Sequence, residues 1–105
     1  MSKFSVYRNP NADTREAFPL LLDVQSDLIA GLGTRVVVPL CPVSVMKGKL
    51  IETLTPVVEV AGKQYAVLTP QLAGIPGKAL GTRVADLAPA RDAIVAALDM
   101  LITGI

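Results

Sequence analysis

The sequence contains no histidine and no tryptophan, a single cysteine, and few aromatic or charged residues. Without histidine, the commonest general base and metal ligand at neutral pH is missing. The Asp and Glu residues are scattered with no metal-ligand spacing, so neither a metal nor a cofactor is expected. Gly31-Leu32-Gly33 lacks the third glycine and the following helix of a phosphate-binding loop, and reads as a plain turn. Net charge is only +1 and no block of Lys or Arg occurs, which excludes the electrostatic footprint of a direct nucleic-acid binder. Acid–base catalysis by Arg with Asp or Glu stays open, but nothing in the pattern points to it. An interaction protein, not an enzyme, is the reading these absences favour.

Cys41 cannot form an internal disulfide, and it sits in an apolar run over residues 36–42. It reads as a small core residue in a reducing compartment. No signal peptide precedes it, because the first five residues lead into polar sequence. The apolar C-terminal stretch is interrupted by Asp99 and falls short of the roughly 20 residues that span a bilayer. A cytoplasmic protein with no membrane contact is expected.

What the chain does have is apolar side chain, 51% of its 105 residues against 18% charged, with a mean hydropathy of +0.52. One domain over residues 1–105 is the expectation at this length. A core that small cannot easily hide so much apolar surface, which points to a homodimer.

Residues 4–7 read as a short edge strand, followed over residues 8–16 by the composition of an exposed, mobile loop. Residues 20–24 and 34–40 are the strongest strand candidates, the second nearly continuous in valine as for a strand covered on both faces. Residues 57–60 and 64–69 flank Ala61-Gly62-Lys63 and predict a hairpin with a three-residue loop, Gly62 supplying a positive φ. Eight prolines and eight glycines favour short, bent strands in a small antiparallel barrel. One helix is expected, at the C-terminus: Pro89 suits its first position and Gly104 its stop.

Two features stand out as surface candidates. Leu28 and Ile29 follow the polar Ser26-Asp27 at what should be a surface turn; the pair marks either a contact site or core side chains tucked under a strand end. On the helix, Ile94, Leu98, Leu101 and Ile105 share the face expected to meet the sheet, while Val95, Asp99 and Ile102 fall on another side. The greasy end is thus either a helix docked on its own core or a surface for a partner.

The segments DVQSDLI (residues 23–29), VVPL (37–40), TPVVEV (55–60), VADL (84–87) and the terminal ITGI (102–105) occur together and in order. In these the whole chain closely resembles the CcdB family of bacterial toxins. The resemblance implies a mainly β fold with one C-terminal α-helix, an SH3-like small antiparallel barrel with a five-stranded sheet and a small wing sheet. It implies a homodimer that binds the A subunit of DNA gyrase and traps its covalent complex with cleaved DNA. It also implies a cognate antitoxin, which neutralises the toxin through a disordered segment and with it represses their operon. Carried over by position, the gyrase contacts are Leu28, Ile29, Asp99, Ile102, Thr103, Gly104 and Ile105. Thr103 departs from a relative that has Trp there, losing an aromatic–cation contact worth roughly 0.5–2 kcal/mol. The antitoxin is expected at the loop over residues 8–15 and neighbouring strand edges. An endoribonuclease on the same barrel, or a homologue that only binds antitoxin, are the competing readings.

Overall fold

The protein is seen in a computed structural model that describes residues 2–46 and 54–104. Strand β3 (Thr34–Pro42) is its spine. One edge pairs antiparallel with β2 (Leu20–Asp23), from Asp23↔Val37 to Leu20↔Leu40. The other edge is shared: β6 (Ala73–Pro76) takes the N-terminal part of β3 and β5 (Lys63–Val67) the C-terminal part. Beyond β2 lie β1 (Ser5–Arg8) and then β7 (Arg83–Asp86). The expected five-stranded antiparallel sheet is therefore β6-β3-β2-β1-β7, and the wing is the hairpin of β4 (Val57–Val60) with β5.

Pro39 lies within this central strand, where a missing N–H normally breaks a ladder. Its carbonyl accepts from the Leu68 amide, so its nitrogen also faces the β5/β6 side. There β6 has ended at Val37 and β5 begins only at Leu40, and no ladder bond is lost.

The sheet curls so that β4 and the residues after β7 face each other across a groove of about 380 Å³, lined by Val57, Val58 and Glu59 on one side and Asp86, Leu87 and Pro89 on the other. Helix α1 (Arg91–Thr103) seats Ile94 and Ala97 in the interior, Ile94 belonging to the same core cluster as Val6, Leu22, Val38, Leu40 and Val67. Cys41 is buried with Ala66 and Leu68 in a second small cluster, and burial pushes its thiol pKa up.

Several expectations change. β1 is not an edge strand: it lies between β2 and β7, and it starts at Ser5 because Phe4 turns the chain with φ +69°. The hairpin loop has two residues, not three; Val60 pairs with Lys63, and Ala61 and Gly62 both take positive φ (+52° and +80°), the left-handed pair that matches strand twist. Pro89 sits in a 3-10 turn (Ala88–Ala90), and α1 begins after it. Gly104 ends the helix as expected, at φ +74°. The loop after β1 is exposed but internally tied: the Asn9 side chain donates to Thr14 Oγ1 and the Phe18 carbonyl and accepts from the Asn11 amide. β6 and β7 had no sequence signal of their own.

Candidate partner-binding surface

The connection from β2 to β3 is a tight 3-10 turn (Asp27–Leu32) between two fixed points. Ser26 caps its start, Oγ accepting from the Leu28 amide at 3.2 Å, and Gly33 ends it in the left-handed region at φ +76°. Ile29 departs from helical geometry (φ −117°, ψ 29°), so the turn is kinked at the residue that carries the second apolar side chain. Leu28 is 96% exposed, Ile29 49% and Leu32 66%. Of the two readings of the Leu28–Ile29 pair, the tucked one fails for Leu28, which contributes nothing to the core, while Ile29 is half covered.

Beneath this turn lies a buried polar cluster. Asp23 ends β2 and Arg35 opens β3, diagonal neighbours on the sheet face opposite to Leu22 and Val38, where a long side chain reaches across the ladder. Arg35 Nε donates to Asp23 Oδ2 at 2.7 Å, with the two side chains only 1% and 0% exposed. Arg35 Nη2 reaches the Gln25 carbonyl at 3.3 Å and Asp27 Oδ1 at 3.4 Å. Gln25, also buried, donates through Nε2 to the Ile29 carbonyl and accepts at Oε1 from the Val36 amide. Asp23 Oδ1 accepts from the Gln25 amide, and Asp27 Oδ1 from the Lys3 amide. The hydrogen bond to Asp23 outweighs desolvation and raises the Arg35 pKa, so the guanidinium stays charged.

The other expected contacts sit on α1. Asp99, Ile102, Thr103 and Gly104 are exposed at its end, Ile102 at 73%. The Thr103 hydroxyl is not free for a partner in this conformation, because it donates to the Asp99 carbonyl at 2.7 Å. Ile94, Leu98 and Leu101 turn inward to different depths, and Val95, Asp99 and Ile102 outward, as the periodicity predicts. Ile105 lies outside the described residues. Within the chain the expected residues thus form two groups, one on the β2–β3 turn packed against β3 and one on a helix packed against the turns Thr69–Gln71 and Ala88–Ala90.

Sequence reasoning overlooked Arg35, Asp23 and Gln25, and with them Leu32. A signal was present: Asp23 and Arg35 interrupt two segments otherwise rich in valine and leucine, with Gln25 two residues beyond the first. Charged residues there must be paired or exposed.

The family model described as CcdB protein matches residues 3–104. The chain belongs to the CcdB family. Membership places it among the toxins of toxin–antitoxin pairs. An endoribonuclease in complex with its cognate antitoxin, from Mycobacterial species, shares the fold: TM-score 0.73 at 18% identity, covering 97% of this chain and 94% of that one. Identity that low shows common architecture and not common chemistry. In a CcdB-family chain the β2–β3 turn and the end of α1 are the two surfaces where exposed apolar side chains coincide with the positions carried over for gyrase. No helix among the described residues is long and apolar enough to cross a membrane.

Proposed function

We propose that this CcdB-family chain is a gyrase-directed toxin: a cytoplasmic homodimer that binds the gyrase A subunit through the Asp27–Leu32 turn and the end of α1. It traps gyrase on cleaved DNA and uses no catalytic residue of its own. A cognate antitoxin neutralises it, meeting the loop over residues 8–15 and neighbouring strand edges, and the two together repress their operon. The single observation that carries the reading is Leu28, held in solvent at 96% exposure beside Ile29 and Leu32. Exposed apolar side chains grouped on one turn, rather than scattered singly, mark a contact site. Val57, Val84 and Val95 are further exposed apolar side chains, which supports a dimer.

The test is a cleavage assay with pure protein, gyrase and supercoiled DNA, in which linear DNA should accumulate after detergent and protease treatment. Pure protein incubated with RNA should leave it intact. Specific RNA cuts without gyrase-dependent DNA breaks would assign the endoribonuclease reading instead. Neither activity, in a protein that still forms a dimer, would assign the homologue that only binds antitoxin.

A further inference from the structure

We infer that Arg35 is a positioning residue for gyrase recognition: its buried guanidinium sets the conformation in which the β2–β3 turn presents Leu28 and Ile29. The inference rests on the proposed role of that turn, but its structural part is tested independently below.

The turn has little else to hold it. Its outermost side chain, Leu28, packs on nothing; at its start the Ser26 hydroxyl accepts from the Leu28 amide, and at its end the Gly33 carbonyl accepts from the Gly77 amide. Beneath the turn the support is a polar cluster with Arg35 at its centre. One fork of the guanidinium is anchored on Asp23, at the end of β2. The Nη2 group spans from the Gln25 carbonyl before the turn to Asp27, the first residue in it. Gln25 then carries the connection to the middle of the turn through the Ile29 carbonyl. Asp27 is meanwhile held on its other side by the Lys3 amide, which ties the turn to the N-terminal segment. The chain is thus β2 end, guanidinium, turn start, Gln25 amide, turn centre.

The planar fork is what makes this geometry possible. Nε and Nη2 donate to different residues at fixed mutual orientation, and a single ammonium on a flexible stem cannot serve both directions. A displaced fork releases Asp27 Oδ1 and the Gln25 carbonyl together, leaving the start of the turn to the Lys3 amide and its centre to the Gln25 side chain alone. Because Leu28 and Ile29 contribute little to the core, such a change costs recognition more than it costs folding. A role confined to stability would instead move the whole molecule.

The deciding variant is Arg35→Lys, which keeps a charge beside Asp23 but loses the fork; the surface variant Asp27→Asn supports it. Amide hydrogen exchange at residues 28–32, thermal melting at fixed protein concentration, dimer mass by light scattering, and calorimetric binding to an isolated gyrase A fragment are the readouts. Expected for Arg35→Lys are faster exchange confined to residues 28–32, an intact dimer, and gyrase affinity lowered about tenfold or more, the equivalent of one charge-assisted hydrogen bond. Asp27→Asn should show the same local exchange with a smaller loss of affinity and nearly unchanged melting. Unchanged exchange in the turn, or exchange that rises equally across the sheet, overturns the inference. If Arg35→Lys does not fold, Asp27→Asn decides by the same criteria. Wild-type protein that fails to bind the fragment overturns the proposed function alone, since the exchange readout still judges the positioning role.

Discussion

Replacing Leu28 by alanine separates recognition from folding more cleanly than any other change in this protein. The side chain is 96% exposed, so its truncation should alter stability by no more than about 0.5 kcal/mol. If the turn is buried against gyrase, the same truncation removes roughly three methylene equivalents from the interface. At about 0.8 kcal/mol each this is about 2.4 kcal/mol, or about fiftyfold in Kd. Ile29 provides an internal control, because half of its side chain is already covered and only 49% is exposed. Ile29→Ala should divide its loss, with about 1.2 kcal/mol appearing in stability and about the same in binding. Urea denaturation at fixed protein concentration measures the first quantity and calorimetry with an isolated gyrase A fragment the second. The reasoning fails if Leu28→Ala binds within about threefold of wild type, which is too small a loss for a buried leucine. A stability loss above about 1 kcal/mol would refute it from the other side, by placing Leu28 in a packed environment in solution.

Three further outcomes are expected. Arg35→Met leaves the Asp23 carboxylate buried beside the Gln25 amide alone and should cost about 3–5 kcal/mol in urea denaturation, part of which Asp23→Asn on the same background should restore; a single-variant cost below about 1 kcal/mol would show the pair to be hydrated. Gly81→Ala places a Cβ only 2.7 Å from the Arg8 carbonyl oxygen and must push β1 away from the chain before β7, lowering stability by about 1–3 kcal/mol in a thermal melt; an unchanged melting temperature would mean that this contact is not held in solution. Thr103→Trp gives up the bond to the Asp99 carbonyl but offers an exposed ring; if gyrase presents a cation between the two helix ends of a dimer, calorimetry should show affinity raised up to about tenfold, and weaker binding would indicate a different docking mode.

Legibility in the sequence followed the range of the interactions involved. The β2 and β3 segments announce themselves because both are dense in valine and leucine, and β3 is covered on both faces. The hairpin at Ala61-Gly62 and the helix stop at Gly104 are local events, governed by backbone freedom within a few residues. The alternation of Ile94 and Ala97 against Val95, Asp99 and Ile102 is likewise a property of the helix itself. By contrast β1 looks like an edge because its second neighbour, β7, arrives from the far end of the chain; the Arg83 side chain reaches back to Ser5 across 78 positions. β6 is short, contains Gly74 and Pro76, and is a strand only because β3 offers it an edge.

The sequence by itself determined the kind of molecule: a mainly β fold with a C-terminal helix, rich in apolar side chain, lacking histidine, and matching the CcdB family over residues 3–104. Those properties reside in composition and short-range pattern, which survive without knowledge of the fold. Only the tertiary structure decided that Leu28 stands in solvent while Ile29 is half covered, and that Asp23, Gln25, Asp27 and Arg35 converge beneath them. Burial and ion pairing depend on which strands become neighbours, and a guanidinium twelve residues from its carboxylate acquires a role only when β2 and β3 close on each other.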